Sequence, residues 1–132
     1  MAPEPGRWTV AATAEQIAVL RAAVSDYALA VGVADDRLAD IRLAISEAAT
    51  NAVIHAYRDR PPGEIRVEAA LGDDGELVIT VEDDGFGPLP RSDSPGLGLG
   101  LPTIASVADG FTLSAGKDAG ARLRISFATG GV

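Results

Sequence analysis

The stretch 40–57, D-I-R-L-A-I-S-E-A-A-T-N-A-V-I-H-A-Y, carries two overlapping patterns that decide how the chain folds. Glu47, Asn51 and His55 fall four positions apart, and each step of four turns only about 40° around an α-helix, so they form one polar stripe. Taken alone, such a carboxylate, amide and imidazole are more often a solvated helix face than a site. Beside them runs an apolar stripe with the spacing of a buried helix face: Leu38, Ile41, Ile45, Ala48 and Ala52.

Length and composition predict one globular domain. The chain has 132 residues, of which 47% are hydrophobic and 23% charged, enough to bury one core. We expect a single domain over 1–132, with its core at about 8–128 and loose termini at 1–7 and 129–132. The absence of cysteine excludes disulfides, thiolate metal sites and a cysteine nucleophile. Because no signal pattern and no apolar run of membrane-spanning length occur, we expect a cytoplasmic protein with no membrane association.

The charge balance narrows the class of partner. The formal net charge is −8, and ten arginines accompany a single lysine, Lys117. An acidic surface repels the phosphates of nucleic acids and of anionic membranes, so we expect no direct nucleic-acid partner. Proteins with basic surfaces, or a small ligand in a pocket, are more compatible with this charge than nucleic acids or membranes are. With one lysine, a phosphate site would have to use backbone amides, arginine or a metal ion.

Periodicity and turn signals predict the elements in order. An edge strand at 8–13 leads into a helix with Thr13 as its N-cap, Gln16 in capping-box spacing and a stop near Gly32. The long helix begins with Asp35 or Asp36 as its cap and runs to about residue 58. A hairpin of strands 65–71 and 77–81 surrounds G-D-D-G at 72–75, and a later helix tolerates Pro102 only in its first turn. Final strands lie at 111–115 and 121–128.

This order of elements predicts an α+β fold. Strands are mostly consecutive, and the helices lie before, between and after the hairpins without strict alternation. We therefore expect a two-layer α/β sandwich, in which a mixed, mostly antiparallel sheet is covered on one face by helices.

Two glycine motifs follow the long helix. In V-E-D-D-G-F-G, residues 81–87, a strand ends in an acid followed by G-x-G, where the chain turns and a ligand can approach the backbone. An ionised carboxylate there can accept a hydrogen bond from an exocyclic amine such as that of adenine. A surface Asp-Gly turn would also explain this motif when it is taken alone. In G-L-G-L-G-L, from Gly96, bare amides precede a helix N-terminus and suit phosphates. A hinge or tight packing explains that run by itself about as well.

The three motifs together are more specific than any one of them. The glycine run is neither a Walker loop, since no Gly-Lys-Ser/Thr follows, nor the dinucleotide fingerprint, whose glycine spacing differs. A phosphate site without lysine needs charge neutralisation, which Mg²⁺ bound by an oxygen such as that of Asn51 would provide. Glu47, one turn earlier, could then accept a proton from a hydroxyl or water.

The ordered set resembles the GHKL ATPases, the Bergerat-fold superfamily that includes gyrase B, heat-shock chaperone ATPases, MutL and sensor histidine kinases. S-E-A-A-T-N-A-V-I-H-A-Y is most similar to the N-box of the bacterial anti-sigma factor serine kinases of the RsbW and SpoIIAB type. Residues 81–87 resemble the first glycine box of that family. Residues 98–109 resemble its second glycine box and the following helix. The resemblance spans about 8–127 and implies the Bergerat ATP-binding fold.

The resemblance implies a role for each matching residue. Glu47 would be the general base that deprotonates a serine or threonine of a protein substrate, and Asn51 would bind Mg²⁺ between the ATP phosphates. Asp83 would accept the adenine amine. The segment 88–95 would be the ATP lid, and His55 could touch the nucleotide, orient Glu47 or simply pack. The other implied ATP-binding residues are Gly85 and Gly87 at the pocket, Arg91 in the lid, and Gly96, Leu97, Gly98, Leu99, Gly100 and Leu101 at the phosphates.

The resemblance also implies the function. We expect an ATP-dependent serine/threonine-protein kinase that acts as an anti-sigma factor, binds a sigma factor and phosphorylates a STAS-domain anti-sigma factor antagonist. A homodimer is expected, through the first helix (17–31) or a sheet edge. The alternative is an ATP-binding regulatory module without kinase activity; the retained Glu47 favours the kinase, and the short, proline-rich lid favours the alternative.

Two further classes of protein are disfavoured by the residue content. A detached sensor histidine kinase domain would need a phosphoacceptor histidine, and His55, inside the ATP motif, is the only histidine. A zinc hydrolase would have few ligands, with one histidine and no cysteine.

Overall fold

One antiparallel sheet covered on one face by helices makes up the fold. The predicted two-layer α+β sandwich is confirmed, whereas the sheet, predicted as mixed, is antiparallel throughout its described strands. The structure, a computed structural model, describes residues 3–56, 63–84, 100–115 and 120–129. Its elements are β1 (Gly6–Ala11), α1 (Ala14–Ala30), α2 (Asp35–Asn51) with a π-helical turn (Ala52–Ala56), β2 (Glu64–Leu71), β3 (Glu76–Asp83), α3 (Gly100–Val107), β4 (Gly110–Ala115) and β5 (Ala121–Ala128).

The five strands lie in the order β1-β2-β3-β5-β4. Every pairing among the described strands is antiparallel, and β1 lies at an edge, as predicted. The β2–β3 hairpin turns through 72–75, where Gly75 adopts a φ of 81° and donates its N–H to the carbonyl of Gly72 at 3.0 Å. A positive φ costs glycine little, which explains why glycine ends this turn.

Alternation along the strands separates a buried face from an open one. In β3 every second residue is buried, and in β2 Ile65, Val67 and Ala69 are buried while their neighbours are partly or fully exposed. This face packs against a helix stripe that contains all five residues predicted for the core of the long helix. Leu38, at 8%, is the most exposed of them, so the predicted stripe is confirmed. Burying each large aliphatic side chain contributes about 1.5–3 kcal/mol.

The helix ends differ from prediction in detail. Thr13 is the N-cap of α1, as predicted, but its side chain makes no capping hydrogen bond, so the predicted capping box is not formed. Its carbonyl instead accepts the Gln16 N–H at 3.0 Å. The glycine stop is confirmed, since Gly32 has a φ of 97° just after α1. The N-cap of α2 is Ala34, whereas Asp35 and Asp36, predicted as caps, lie in the first turn, where their charges favour the helix N-terminus.

Arginines on the helices tie α1 to α2. Arg42 donates to the hydroxyl of Ser25 at 3.0 Å, and Arg21 donates to that of Ser46 at 3.2 Å. These contacts join the two helices within the layer that covers the sheet. None of the helices described in this chain has the length and apolar character needed to cross a membrane.

Candidate functional site

The carboxyl-terminal half of α2 carries two of the predicted site residues. Glu47 and Asn51 are both half-buried, while the adjacent Ala48 and Ala52 are buried in the core. The polar stripe therefore runs along the margin of the core over this part of α2, where side chains remain accessible to a ligand while the backbone is held by packing.

The π-helical turn begins directly after Asn51. Its hydrogen bonds run from i to i+5, so the regular α-helix ends at Asn51, whereas the sequence predicts a helix that runs to about residue 58. The alignment of His55 with Glu47 and Asn51 stays a prediction. Single π turns inside helices occur frequently at functional sites. The side chain of His55 lies outside the described part of the structure.

Asp83 occupies a buried position at the end of β3. Its side chain belongs to the helix-facing side of the sheet and is only 7% exposed; Ser25 is the other buried polar residue in the described chain. The Ala121 N–H donates to its carboxylate at 3.4 Å. An ionised carboxylate can only accept hydrogen bonds, so this position is compatible with a ligand that brings an N–H group.

Gly120 packs directly behind this strand end. A Cβ placed on Gly120 would overlap the carbonyl oxygen of Asp83 and would lie 2.7 Å from the Cα of Asp84. A larger residue therefore cannot occupy this position without moving the backbone that carries Asp83.

The two sequence neighbours of Asp83, Glu82 and Asp84, form ion pairs on the open face of the sheet. Arg66 donates to both carboxylate oxygens of Asp84, at 2.9 and 2.8 Å, and to Glu82 at 3.2 Å. Arg122 donates to the other oxygen of Glu82 at 2.6 Å. Glu82 and Asp84 thus lie on the open face of the sheet while Asp83, between them, faces the helices.

The arginines keep these two carboxyl groups ionised. The hydrogen bond from Arg66 holds the pKa of Asp84 below its usual range. Burial opposes ionisation of Glu82, but hydrogen bonds from Arg122 and Arg66 outweigh burial and lower its pKa as well. The pKa of Arg66 is raised, chiefly by its hydrogen bond to Asp84, so its guanidinium stays charged.

The amino end of α3 supplies the described part of the second glycine motif. Gly100 and Leu101 begin the helix and Pro102 is its third residue, so the prediction that the proline lies in the first turn is confirmed. Proline is tolerated there because the N–H groups of the first turn have no partner within the helix. The same unpaired N–H groups make this end suited to an anion.

Arg37 fastens the other end of α3 to α2. It donates to the carbonyl of Val107 at 3.1 Å, to Asp109 at 2.7 Å and to Asp40 at 2.6 Å. Its guanidinium also stands 5.2 Å above the ring of Phe127. Because the start of α2 meets the end of α3 and the two helices pack together, the amino end of α3 points toward the half of α2 that carries the polar stripe.

Several predicted site residues cannot be placed. The described elements carry five of the predicted residues: Glu47 and Asn51 on α2, Asp83 on β3, and Gly100 and Leu101 on α3. The rest lie outside the described residues: Gly85, Gly87, Arg91, Gly96, Leu97, Gly98 and Leu99, together with the predicted lid at 88–95.

Four residues near this strand end and at the α2–α3 contact are not predicted from the sequence: Arg66, Arg122, Gly120 and Arg37. The run E-D-D at 82–84 was a usable signal, since three successive carboxylates need nearby cations. Which arginines supply them depends on strand register, with Arg66 and Arg122 both opposite Glu82.

The donor set of the described residues fits a magnesium ion held mainly by nucleotide. No cluster of three or more His, Cys, Asp or Glu suited to a metal occurs in the described ranges. Mg²⁺ in phosphoryl-transfer sites keeps several waters and is held by few protein oxygens together with substrate phosphates. The single amide oxygen of Asn51, next to the start of the π-helical turn, is consistent with that arrangement.

Comparison with known proteins places the chain in a family. Residues 10–127 match the histidine kinase-like ATPase domain. The chain is 31% identical over 119 residues to an anti-sigma F factor of Clostridium botulinum, and the match covers 82% of each protein. It is 35% identical over 78 residues to the serine-protein kinase RsbW of Bacillus subtilis, covering 58% of this chain and 49% of that kinase.

Solved structures agree with this assignment. The structure of the RsbU and RsbW domains of a Mycobacterium tuberculosis protein matches with a TM-score of 0.75 and 26% identity. The match covers 95% of this chain and 32% of that one, so this chain corresponds to about a third of the solved protein. A histidine kinase domain from Erythrobacter litoralis shares the fold, with a TM-score of 0.61 at 22% identity.

The fold, the order of the three motifs and the match over residues 10–127 together define a histidine kinase-like ATPase domain. The protein therefore uses ATP. Within that class, the chain belongs to the GHKL family of anti-sigma factor kinases. The resemblance inferred from the N-box and the two glycine boxes is confirmed, as is the α+β fold class.

Proposed function

We propose that this protein is an ATP-dependent serine/threonine-protein kinase that acts as an anti-sigma factor. The observation that carries the proposal is the buried carboxylate of Asp83 at the end of β3, in a fold whose α2 presents Glu47 and Asn51 at the margin of the same core. Relatives named anti-sigma F factor and serine-protein kinase RsbW support the same conclusion.

The adenine and phosphate ends of ATP would be bound by different elements. Asp83 accepts the exocyclic amine of adenine, and Gly85 and Gly87 shape the pocket around the ring. The amides of Gly96, Leu97, Gly98, Leu99, Gly100 and Leu101 line the phosphates, supported by the unpaired N–H groups at the start of α3. Arg91 in the lid contacts a phosphate, and His55 lies beside the nucleotide.

Glu47 would act as the general base. It takes the proton from the serine or threonine hydroxyl as that oxygen forms a bond to the γ-phosphorus, and ADP leaves as the bridging bond breaks. Asn51 would hold Mg²⁺, which would neutralise part of the phosphate charge. Glu47 and Asn51 lie one turn apart on the same face of α2, which supports a base and a metal ligand acting side by side.

The partners would be a sigma factor, held inactive by binding, and a STAS-domain anti-sigma factor antagonist, which is the phosphorylated substrate. The name of the clostridial relative supports the first partner. The protein acts in the cytoplasm, where both partners occur, and forms a homodimer. Exposed Val19 and Leu29, at 51% and 54%, support α1 as the dimer surface.

Transfer of labelled phosphate tests the proposal. The purified protein is incubated with ATP labelled at the γ-phosphate, Mg²⁺ and STAS-domain antagonists from the same genome, and the labelled protein and residue are identified. Labelling of a serine or threonine on one antagonist, absent with the Glu47→Gln variant, is expected. ATP binding without labelling of any antagonist would instead establish the regulatory module without kinase activity, which the short, proline-rich segment 88–95 favours.

A further inference from the structure

The strand end that carries Asp83 is held from the opposite face of the sheet. Arg66, Glu82 and Arg122 lie side by side on three adjacent strands, with Glu82 directly opposite each arginine. Glu82 is only 15% exposed and pairs with both guanidinium groups. Arg66 then reaches one residue past Asp83 to bind Asp84 with two parallel hydrogen bonds. Such two-pronged pairs fix orientation as well as distance.

The backbone ladder alone does not hold this end. The register of β3 with β5 stops at Glu82 opposite Arg122, and only β2 continues to pair with β3 as far as Asp83, which lies opposite Ile65. On the β5 side the next N–H, that of Ala121, donates to the Asp83 carboxylate at 3.4 Å. The two hydrogen bonds from Arg66 to Asp84, one residue past the end of the ladder, therefore help to set the orientation of the backbone at this strand end.

The arginines also offset the negative charge at this strand end. Glu82, Asp83 and Asp84 are successive carboxylates at one strand end, and like charges this close repel one another. Arg66 and Arg122 offset two of the three charges from the open face. The depressed pKa values of Glu82 and Asp84 show that these groups remain ionised beside the arginines.

We propose that Arg66, assisted by Arg122, is a positioning residue that orients the Asp83 carboxylate toward the 6-amino group of adenine and so sets the preference of this protein for adenine nucleotides. The proposal rests on the proposed function, because it assumes that Asp83 meets adenine. Arg66 touches neither nucleotide nor substrate; it acts through the backbone between Glu82 and Asp84.

The test compares ATP with the matched triphosphate of purine riboside, which lacks only the 6-amino group. Isothermal titration gives both dissociation constants for the wild type and for Arg66→Met. We expect the wild type to prefer ATP about tenfold or more, as for a hydrogen bond to a charged group. Arg66→Met reduces that preference to about threefold or less by weakening ATP binding, while binding of the purine analogue stays unchanged. Arg66→Lys, which keeps the charge without the two-pronged contact, falls between them.

The chain offers a matched control on the same face. Arg124 projects from β5 into the same groove as Arg66 and Arg122, a cavity of about 640 Å³ on the open face. It forms no ion pair among the described residues, so Arg124→Met removes an arginine from this face without touching the strand end. We expect this variant to keep the wild-type preference for ATP.

Several results would overturn the proposal. If Arg66→Met weakens the binding of both nucleotides equally, Arg66 has a general structural role. If the preference for ATP over the purine analogue is unchanged, Arg66 has no positioning role. If Arg66→Met does not fold, Asp84→Asn makes the same test with Arg66 and Glu82 still paired, and an unchanged preference there overturns it too. A wild type that binds both nucleotides equally would remove the adenine role of Asp83, whereas one that binds neither would overturn the proposed function itself.

Discussion

Asp83 and Asp84 are consecutive in sequence but lie on opposite faces of the sheet. Asp83 is buried beneath the helices, whereas Asp84 pairs with Arg66 on the open face. Side chains alternate along a strand, so a single strand end serves both the proposed nucleotide pocket and an ion-pair network behind it. The ion pairs on the open face are therefore adjacent in sequence to the proposed adenine acceptor.

Replacing the proposed base should separate binding from chemistry. We expect Glu47→Gln to bind ATP with wild-type affinity and to transfer phosphate about 10²–10⁴-fold more slowly, the usual contribution of a general base. Single-turnover labelling of the antagonist measures transfer, and isothermal titration measures binding. Unchanged turnover would remove Glu47 as the base.

Replacing the proposed adenine acceptor should weaken binding. Asp83→Asn keeps the size of the side chain and an oxygen that can accept the Ala121 N–H, but loses the negative charge. We expect ATP affinity to fall by about 1–3 kcal/mol, the scale of a hydrogen bond to a charged group. Thermal unfolding of the free variant serves as the control, and intact ATP affinity in a folded variant contradicts the assignment.

The ion pairs of Arg66 should make stability depend on pH. The pKa values of Glu82 and Asp84 are lowered in the folded protein, so their contribution is present above the ordinary values of 4.5 and 3.8 and is lost as pH falls through the lower folded values. We expect the urea concentration at the midpoint of unfolding to decrease as the pH is lowered below about 4.5. This decrease should be less steep in Arg66→Met. Parallel pH profiles for the two proteins would refute this origin.

Gly120 should be intolerant of any side chain. The added methyl of Gly120→Ala would overlap the backbone of Asp83, which cannot move without disturbing the end of β3. We expect a loss of about 1–3 kcal/mol of unfolding free energy, as for other overpacked sites, together with weaker ATP binding. Gly110→Ala is the control, because its added methyl meets only the rotatable hydroxyl of Ser126 at 3.0 Å. Equal stability of the two variants would contradict the prediction.

Arg37 should stabilise the docking of α3. Its side chain is 24% exposed, so its ion pairs are only partly screened by solvent. We expect Arg37→Met to lower the unfolding free energy by about 1–2 kcal/mol, chiefly through the lost hydrogen bonds to Val107 and Asp109. Arg7→Met is the matched control, since Arg7 pairs with Glu68 at 71% exposure and should contribute almost nothing. Chemical denaturation of both variants makes the comparison.

Local patterns in the sequence predicted much of the fold. The apolar period of α2, the glycine turn of the β2–β3 hairpin and the stop at Gly32 each depend on contacts within a few residues. Such short-range preferences are written directly in the residue types. The predicted caps at Asp35 and Asp36 missed by one or two positions, because several neighbouring residues can begin a helix.

The sequence by itself determined the order of the three motifs, the residue types that can meet a nucleotide and the family to which they belong. Only the tertiary structure decided which arginines stand behind Asp83, because strand register brings Arg66 and Arg122 beside Glu82 from 16 and 40 residues away. It also decided that α2 changes to a π-helical turn after Asn51. Both outcomes depend on long-range packing, which no local pattern of residue types encodes.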